Sequence, residues 1–253
     1  MIESFGVSKV GLVRTVNEDF IFSEDRPFFI LADGMGGYEG GQLASSLAVK
    51  TVEAYLKTFS PSAFSEEMLR TAVLFANRAL LRAKISDHSL DGMGTTLIVA
   101  AFFENRMFFA HVGDSRIYME ADGVLTQLTR DHSFVMELYE AGKISKEDMR
   151  NHPKRNEVTR AVGLQSSLSV DTGCVTFFGA AKILLCSDGI SAPLGDAAIQ
   201  KILGETGNKG EELGKAVQLL TESVYEKGAG DNLSAILVSY FPEDGQIVNG
   251  EKR

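Results

Sequence analysis

Cysteine, proline, long apolar runs and excess basic charge are all scarce in this chain, and each scarcity excludes something. Two cysteines, Cys174 and Cys186, cannot build the disulfide framework of a small secreted scaffold. Cys186 ends the apolar run Ile183-Leu184-Leu185-Cys186, where a thiol packs as a small buried group rather than a redox centre. No run of about 18 apolar residues occurs, so no membrane span is expected. The N-terminus, Met-Ile-Glu-Ser-Phe-Gly, has no basic region leading into an apolar one. No secretory leader is therefore expected, and the cytoplasm is the expected location. Five scattered prolines, with no repeat or low-complexity tract, leave no sign of a linker. One domain over residues 1–241 with a polar tail at 242–253 is the simplest organisation.

Familiar catalytic signatures are missing too. There is no Cys-X5-Arg loop, no Walker A loop and no Gly-X-Ser-X-Gly elbow. The four histidines, His88, His111, His132 and His152, lack zinc-ligand spacing. Acidic residues outnumber basic ones by 34 to 25, giving a net charge of -9, which disfavours nucleic acid and anionic membranes as partners. On charge alone, ordinary solubility accounts for the balance equally well.

What is present is a globular pattern with chemistry at its joints. With 253 residues, 44% of them hydrophobic, the chain can bury a substantial core. Apolar and β-branched runs at 28–32, 95–103, 106–112, 115–119, 124–128, 169–178, 182–187 and 233–240 read as strands. Glu104-Asn105 and Asp122-Gly123 read as hairpin turns between neighbouring strands. Residues 41–59, 65–85 and a segment holding Leu213, Ala216, Val217, Leu220 and Val224 carry apolar residues at helical spacing. Ser65 followed by two glutamates suits a helix N-terminus. Helices grouped together, then hairpin-linked strands, then helix and a last strand, predict an α+β fold with antiparallel sheets covered by helices.

Four apolar strands meet an aspartate beside a glycine: Asp33-Gly34, Gly113-Asp114, Asp188-Gly189 and Gly230-Asp231. A fifth acidic pair, Glu18-Asp19, precedes Phe20-Ile21-Phe22. Each such pair is ordinarily just a turn. If the five converged, however, carboxylates about 4 Å apart would repel by roughly 4 kcal/mol at an effective dielectric of 20. A hard divalent cation with oxygen ligands, magnesium or manganese, would relieve that repulsion.

At these residues the sequence closely resembles the protein phosphatase 2C family in its bacterial branch. The resemblance is carried, in family order, by Arg14-Thr-Val-Asn17-Glu18-Asp19, Asp33-Gly-Met-Gly-Gly37, Gly94-Thr-Thr96 and His111-Val-Gly-Asp-Ser-Arg116. It continues through Leu128-Thr-Arg-Asp-His-Ser133, Asn151-His-Pro, Thr159-Arg-Ala-Val-Gly163, Cys186-Ser-Asp-Gly189 and Gly230-Asp-Asn232.

The resemblance implies a four-layer αββα sandwich of two antiparallel β-sheets flanked by helices, with metals between the sheets at one end. It implies metal-dependent hydrolysis of phosphoserine and phosphothreonine on proteins, with Mn²⁺ or Mg²⁺ as two core ions and a third, weaker one. Asp33, with the carbonyl of Gly34, would bridge two metals; Asp188 and Asp231 would hold the first; Asp19, with Glu18 nearby, would serve the second. Asp114 would help hold the third metal and Arg14 would clamp the substrate phosphate. Water activated by two metals would attack phosphorus without a covalent phosphoenzyme. Met35 stands where animal members carry a proposed acid histidine, leaving water at the metals or His132 as the proton donor. Residues 131–160 correspond to the family's flap, with short helices expected at 133–141 and 145–150. Its Lys143, Lys146, Lys154 and Arg155 are candidates to attract a phosphorylated segment, or simply a solvated face. Gly94-Thr95-Thr96 and Thr159-Arg160 are expected to support the site, though Thr95 and Thr96 could simply start a strand, and Ser187 and Asn232 are expected to support the aspartates they flank. The expected partners are phosphorylated proteins and a cognate bacterial serine/threonine kinase, met by a monomeric enzyme. A narrow phosphatase of one phosphorylated regulator and an inactive phosphoprotein-binding scaffold are the alternatives.

Overall fold

A computed structural model describes residues 1–24, 26–37 and 39–242, the side chain of Glu39 excepted. The polar tail expected from 242 onward lies, beyond Pro242, outside the described residues. Two antiparallel sheets form the centre. The first has the spatial order β1 (Ile2–Lys9), β11 (Leu233–Tyr240), β10 (Ala181–Cys186), β7 (Arg116–Ala121) and β8 (Val124–Gln127). The second runs β2 (Asp19–Phe22), β3 (Phe28–Met35), β5 (Leu97–Phe103), β6 (Arg106–Val112) and β9 (Asp171–Thr176), with the two-residue β4 (Gly94–Thr95) paired to the end of β3.

Helices α1 (Glu39–Leu56) and α2 (Glu66–Ser86) cover the second sheet; α5 (Asp188–Leu194), α6 (Asp196–Glu205) and α7 (Glu211–Glu226) cover the first. Side-chain alternation along the strands builds three apolar layers. Along β3, Phe28, Ile30 and Ala32 pack towards α1 and α2, while Phe29 and Leu31 face the other sheet. On β10, Leu184 and Cys186 pack towards α7, and Ile183 and Leu185 join the inter-sheet layer. These strands are buried on both faces, which is why they read as unbroken apolar runs. The expected four-layer αββα sandwich is the fold found.

Local chemistry explains several boundaries. Ser65 caps α2 by accepting from the Met68 N–H, and Glu66 and Glu67 sit in the first turn. Asp122 and Gly123 both take positive φ, at 52° and 78°, joining β7 to β8 through a tight two-residue loop. Short helices α3 (Phe134–Glu140) and α4 (Lys146–Asn151) occupy the expected flap, α4 opening with a Ser145/Asp148 capping box.

Two readings need correction. Asp33-Gly34 is not a turn: β3 continues through Met35 because Gly34 and Met35 pair with Thr95 and Gly94. Asp188-Gly189 is not a turn either, since Asp188 begins helix α5 behind Ser187. Fully buried Ile183 lies in the inter-sheet layer. Ile183→Ala is expected to cost about 2–5 kcal/mol, read as a lower denaturation midpoint at unchanged m-value.

Candidate metal centre

Strand pairing brings the first two carboxylates together. The β2–β3 register places Asp19 opposite Asp33, and side chains opposite each other in an antiparallel pair have Cβ atoms about 5 Å apart. Asp188 enters from the other sheet as the first residue of α5, and Asp231 from the loop before β11. The sheets are stitched at this point by Ser187, whose hydroxyl donates to Asp19 at 2.9 Å while accepting the Ser234 N–H at 3.0 Å. Asp33 feels the charges of Asp19, Asp188, Asp114 and Asp231, and the Asp33 and Asp188 carboxyls are close enough to hydrogen-bond. Five distant aspartates thus share one end of the sandwich.

The backbone around them is held tightly. Asp33 N–H donates to Thr96 Oγ1 at 2.9 Å, and Thr95 Oγ1 donates to the Asp33 carbonyl at 2.8 Å. Thr96 is hydrogen-bonded in turn to Ser115, beside Asp114, at 2.8 Å. Asn232 accepts from the Glu18 N–H and donates to the carbonyls of Val10 and Val16, fixing the loop that carries Arg14 and Glu18. A Cβ at Gly34 would collide with the Gly41 carbonyl, so this position needs glycine for close backbone approach. Thr95, Thr96, Ser187 and Asn232 therefore do support the acidic residues, as expected.

The electrostatics are unfavourable as they stand. Burial, joined by neighbouring carboxylates, pushes the Asp19 carboxyl up to about 7 and that of Asp114 up to about 8. Asp33 is driven well above the ordinary range for the same reasons, and Asp188 upward by burial and Asp231. Asp33, Asp114 and Asp188 nevertheless each keep a face open to water. Asp19 Oδ1 and Glu18 Oε1 are buried without any hydrogen-bond donor. Arg14 donates to Asp231 at 2.9 Å with its side chain half exposed.

Among the described residues, no three carboxylate, imidazole or thiol groups are drawn in around one point as a finished ligand set. The nearest donors explain this: Asp231 is turned to Arg14, and Asp19 to Ser187. The donor set still fits a hard divalent cation. Its ligands are all oxygen, mutually repelling, partly unpartnered and reachable by water.

Other expected residues fall into place differently. His132 is buried, with Nδ1 accepting the Gly113 N–H at 3.1 Å and Nε2 bonded to Asp171 at 3.1 Å. Both nitrogens are committed, so His132 is not available as a proton donor to a leaving group. Of the flap cations, Lys146 pairs with Asp196 at 3.6 Å and Lys154 with Glu157 at 2.9 Å. Arg155 instead lines a cleft with Asp188 and Asp231. A neighbouring cavity of about 290 Å³ runs from Asp114 and Asp188 to Val135, Met136 and Met149 under the flap.

Residues passed over in the sequence form a second network. Arg116 makes three hydrogen bonds to the Asp131 carboxylate and one to the Tyr118 hydroxyl, which donates to Asp196 at 3.0 Å. Arg116 and Asp131 both lie in the family-like segments, but nothing in the sequence pairs them with each other or with Tyr118 and Asp196. Asp171 carried no signal at all.

A group whose pKa is raised on folding stabilises the fold below its unfolded value and loses that contribution as pH rises through its folded value. The metal-free protein is therefore expected to lose stability relative to Asp33→Asn as pH rises above the ordinary carboxylate range, read from paired melting curves. Divalent cation at about 100 times its dissociation constant should restore about 2.7 kcal/mol to the unsubstituted protein. A pH-independent gap between the two proteins would contradict the electrostatic account.

Comparison with known proteins agrees with this geometry. The family profile described as Protein phosphatase 2C matches residues 13–221. The chain is 37% identical over 235 residues to the serine/threonine phosphatase stp of Listeria monocytogenes, covering 90% of this chain and 92% of that protein. It superposes on the crystal structure of the Mycobacterium tuberculosis serine/threonine phosphatase PstP/Ppp with a TM-score of 0.88 at 33% identity, covering 96% and 99% of the two chains. The PstP catalytic domain solved in complex with two manganese ions aligns with a TM-score of 0.84 at 32% identity, covering 94% and 97%.

Proposed function

The chain belongs to the protein phosphatase 2C family and is a serine/threonine protein phosphatase, and from that premise we propose that its aspartate cluster is a two-cation hydrolytic centre using manganese or magnesium. The observation that carries this reading is the convergence of Asp19, Asp33, Asp188 and Asp231 at one end of the sandwich, with the Asp19, Asp33 and Asp188 carboxyls pushed upward by burial and with Asp19 Oδ1 and Glu18 Oε1 unpartnered. The manganese ions of the PstP catalytic domain support it.

Asp33, with the Gly34 carbonyl, would lie between two cations; Asp188 and Asp231 would complete one site, and Asp19 with Glu18 the other. Asp114 would serve a third, weaker ion. Bound there, the cations supply a hydroxide-like nucleophile near neutral pH and neutralise charge on the phosphoryl oxygens.

The chain's own residues do the rest. Thr95 and Thr96 hold the backbone of Asp33 on both sides, so the central carboxylate is fixed before substrate arrives. Arg14 is paired to Asp231 but half exposed. With Asp231 engaged as a cation ligand, the Arg14 guanidinium would be free to bind the substrate phosphate through its planar fork of donors. Met35 has no proton to give and His132 has both nitrogens engaged, so water at the open mouth of the site protonates the leaving serine or threonine oxygen. We place the enzyme opposite a bacterial serine/threonine kinase, in the cytoplasm and as a monomer.

The test is hydrolysis of p-nitrophenyl phosphate and a phosphothreonine peptide with and without Mn²⁺. Asp33→Ala and Asp231→Ala are expected to lose roughly 100-fold or more in kcat while keeping the wild-type circular dichroism spectrum. Substantial turnover after chelation would contradict the assignment. Arg14→Ala should act chiefly on the phosphate, lowering kcat/KM by roughly 10- to 100-fold while Mn²⁺ affinity does not fall. Weakened Mn²⁺ binding in that variant would place Arg14 in the fabric of the metal site instead.

A further inference from the structure

Asp171 stands at the start of β9, directly across from His111 in the sheet register. It touches no member of the aspartate cluster. Its carboxylate takes two partners from opposite ends of the flap. His132 Nε2 reaches Oδ2 at 3.1 Å, and Arg160 Nη1 donates to Oδ1 at 2.8 Å. Between these ends the chain runs out through α3 and α4 and returns, closing where the Thr159 N–H donates to the His132 carbonyl at 2.8 Å and Ser133 bridges Val158. One carboxylate therefore pins both feet of the segment that overhangs the site.

His132 carries the connection inward. Its Nδ1 accepts the Gly113 N–H at 3.1 Å, and its own N–H donates to the Gly113 carbonyl at 2.8 Å. Both polar backbone groups of Gly113 are thus held by a single residue. Gly113 has φ +113°, and a Cβ there would strike Thr96, whose hydroxyl holds the Asp33 N–H. The next residue is Asp114. An imidazole that accepts at Nδ1 must carry its proton on Nε2, and a carboxylate at Nε2 selects that tautomer. His132 is buried among these partners, and the Asp171 carboxylate is held below its ordinary range by His132 and Arg160 against the opposing effect of burial. The orienting carboxylate of a ligating histidine plays the same physical part elsewhere; here the oriented ring grips a backbone turn instead of a metal.

We propose that Asp171 is a positioning residue: through His132 it sets the Gly113–Asp114 turn for cation binding, and through Arg160 it ties the far end of the flap to the same point. The inference rests on the reading of Asp114 as a cation ligand. It implies that the flap and the cation site are not independent parts, because His132 belongs to both.

The test compares Asp171→Ala, Asp171→Asn, Arg160→Gln and Asp114→Asn, using Mn²⁺ titration calorimetry and amide hydrogen exchange on the metal-free proteins. Asp114→Asn first identifies the component of the Mn²⁺ isotherm that needs Asp114. Asp171→Ala is expected to weaken that same component roughly tenfold, in the range seen when an orienting partner is lost, and to speed exchange at both 113–115 and 131–160. Asp171→Asn keeps one acceptor oxygen for two donors, so it can serve His132 or Arg160 but not both, and is expected to fall between Asp171→Ala and the wild type. Arg160→Gln should speed exchange near 150–160 and leave the isotherm as in the wild type. It also keeps the proposal testable if Asp171→Ala does not fold. The proposal is overturned if Asp171→Ala leaves the isotherm and the exchange at 113–115 unchanged, or if Asp171→Asn matches the wild type in the isotherm and in exchange at both 113–115 and 131–160. It is overturned equally if Arg160→Gln weakens the Asp114-dependent component. If Asp114→Asn itself leaves the isotherm intact, the reading of Asp114 falls, and this inference with it; an intact isotherm in Asp171→Ala alone removes only the inference.

Discussion

Mutual repulsion among buried carboxylates is the constraint around which this structure is organised. Asp19, Asp33, Asp114, Asp188 and Asp231 come from both sheets and lie within electrostatic reach of one another. A flexible chain would relieve that repulsion by moving the groups apart. Here they cannot separate far, because Asp19 and Asp33 lie on paired strands and Asp188 opens a helix packed on the other sheet. The inter-sheet layer of Phe29, Leu31, Ile98, Ile183, Leu185 and Ile236 keeps the two sheets apposed. The hydrophobic effect, summed over three layers, is what makes the unfavourable cluster affordable.

Polar ties then set the geometry that apolar packing leaves loose. Ser187 crosses from one sheet to the carboxylate of the other, and Thr95 and Thr96 grip Asp33 from each side. Asn232 fixes the loop bearing Arg14 and Glu18. Each tie uses a neutral hydroxyl, amide or backbone group, so it orients a carboxylate or its backbone without neutralising it. Within the protein the cluster meets charge only at the half-exposed Arg14, which pairs with Asp231; in the proposed centre divalent ions would neutralise the rest. The Arg116–Asp131 pair is a contrasting case, since its charges are fully matched within the protein and anchor the first residue of the flap.

Much of this was legible in the chain. Asp-Gly pairs at strand boundaries pointed to all four glycine-flanked aspartates, and Glu18-Asp19 to the fifth site. The hairpins at Glu104-Asn105 and Asp122-Gly123 and the cap at Ser65 follow from local propensities that tertiary structure did not override. What was illegible depended on distant partners. Strand β1 has a mixed sequence, and its identity comes from pairing with β11 at the other end of the chain. Asp33-Gly34 looked like a turn because its strand partner, Gly94-Thr95, is two residues long and about sixty positions away. Helices α5 and α6 are short and interrupted by Pro193 and Gly195, which read as loop punctuation. Asp171 is an acidic residue at a strand start, and its meaning lies wholly in His132 and Arg160, which reach it from two directions.

The most direct measurement is an anomalous difference Fourier map from crystals of this protein soaked in Mn²⁺. The account predicts strong manganese peaks in the space bounded by Asp19, Asp33, Asp188 and Asp231, with the Arg14–Asp231 contact opened. A map with no anomalous density among these carboxylates, and with Arg14 still bound to Asp231, would contradict it.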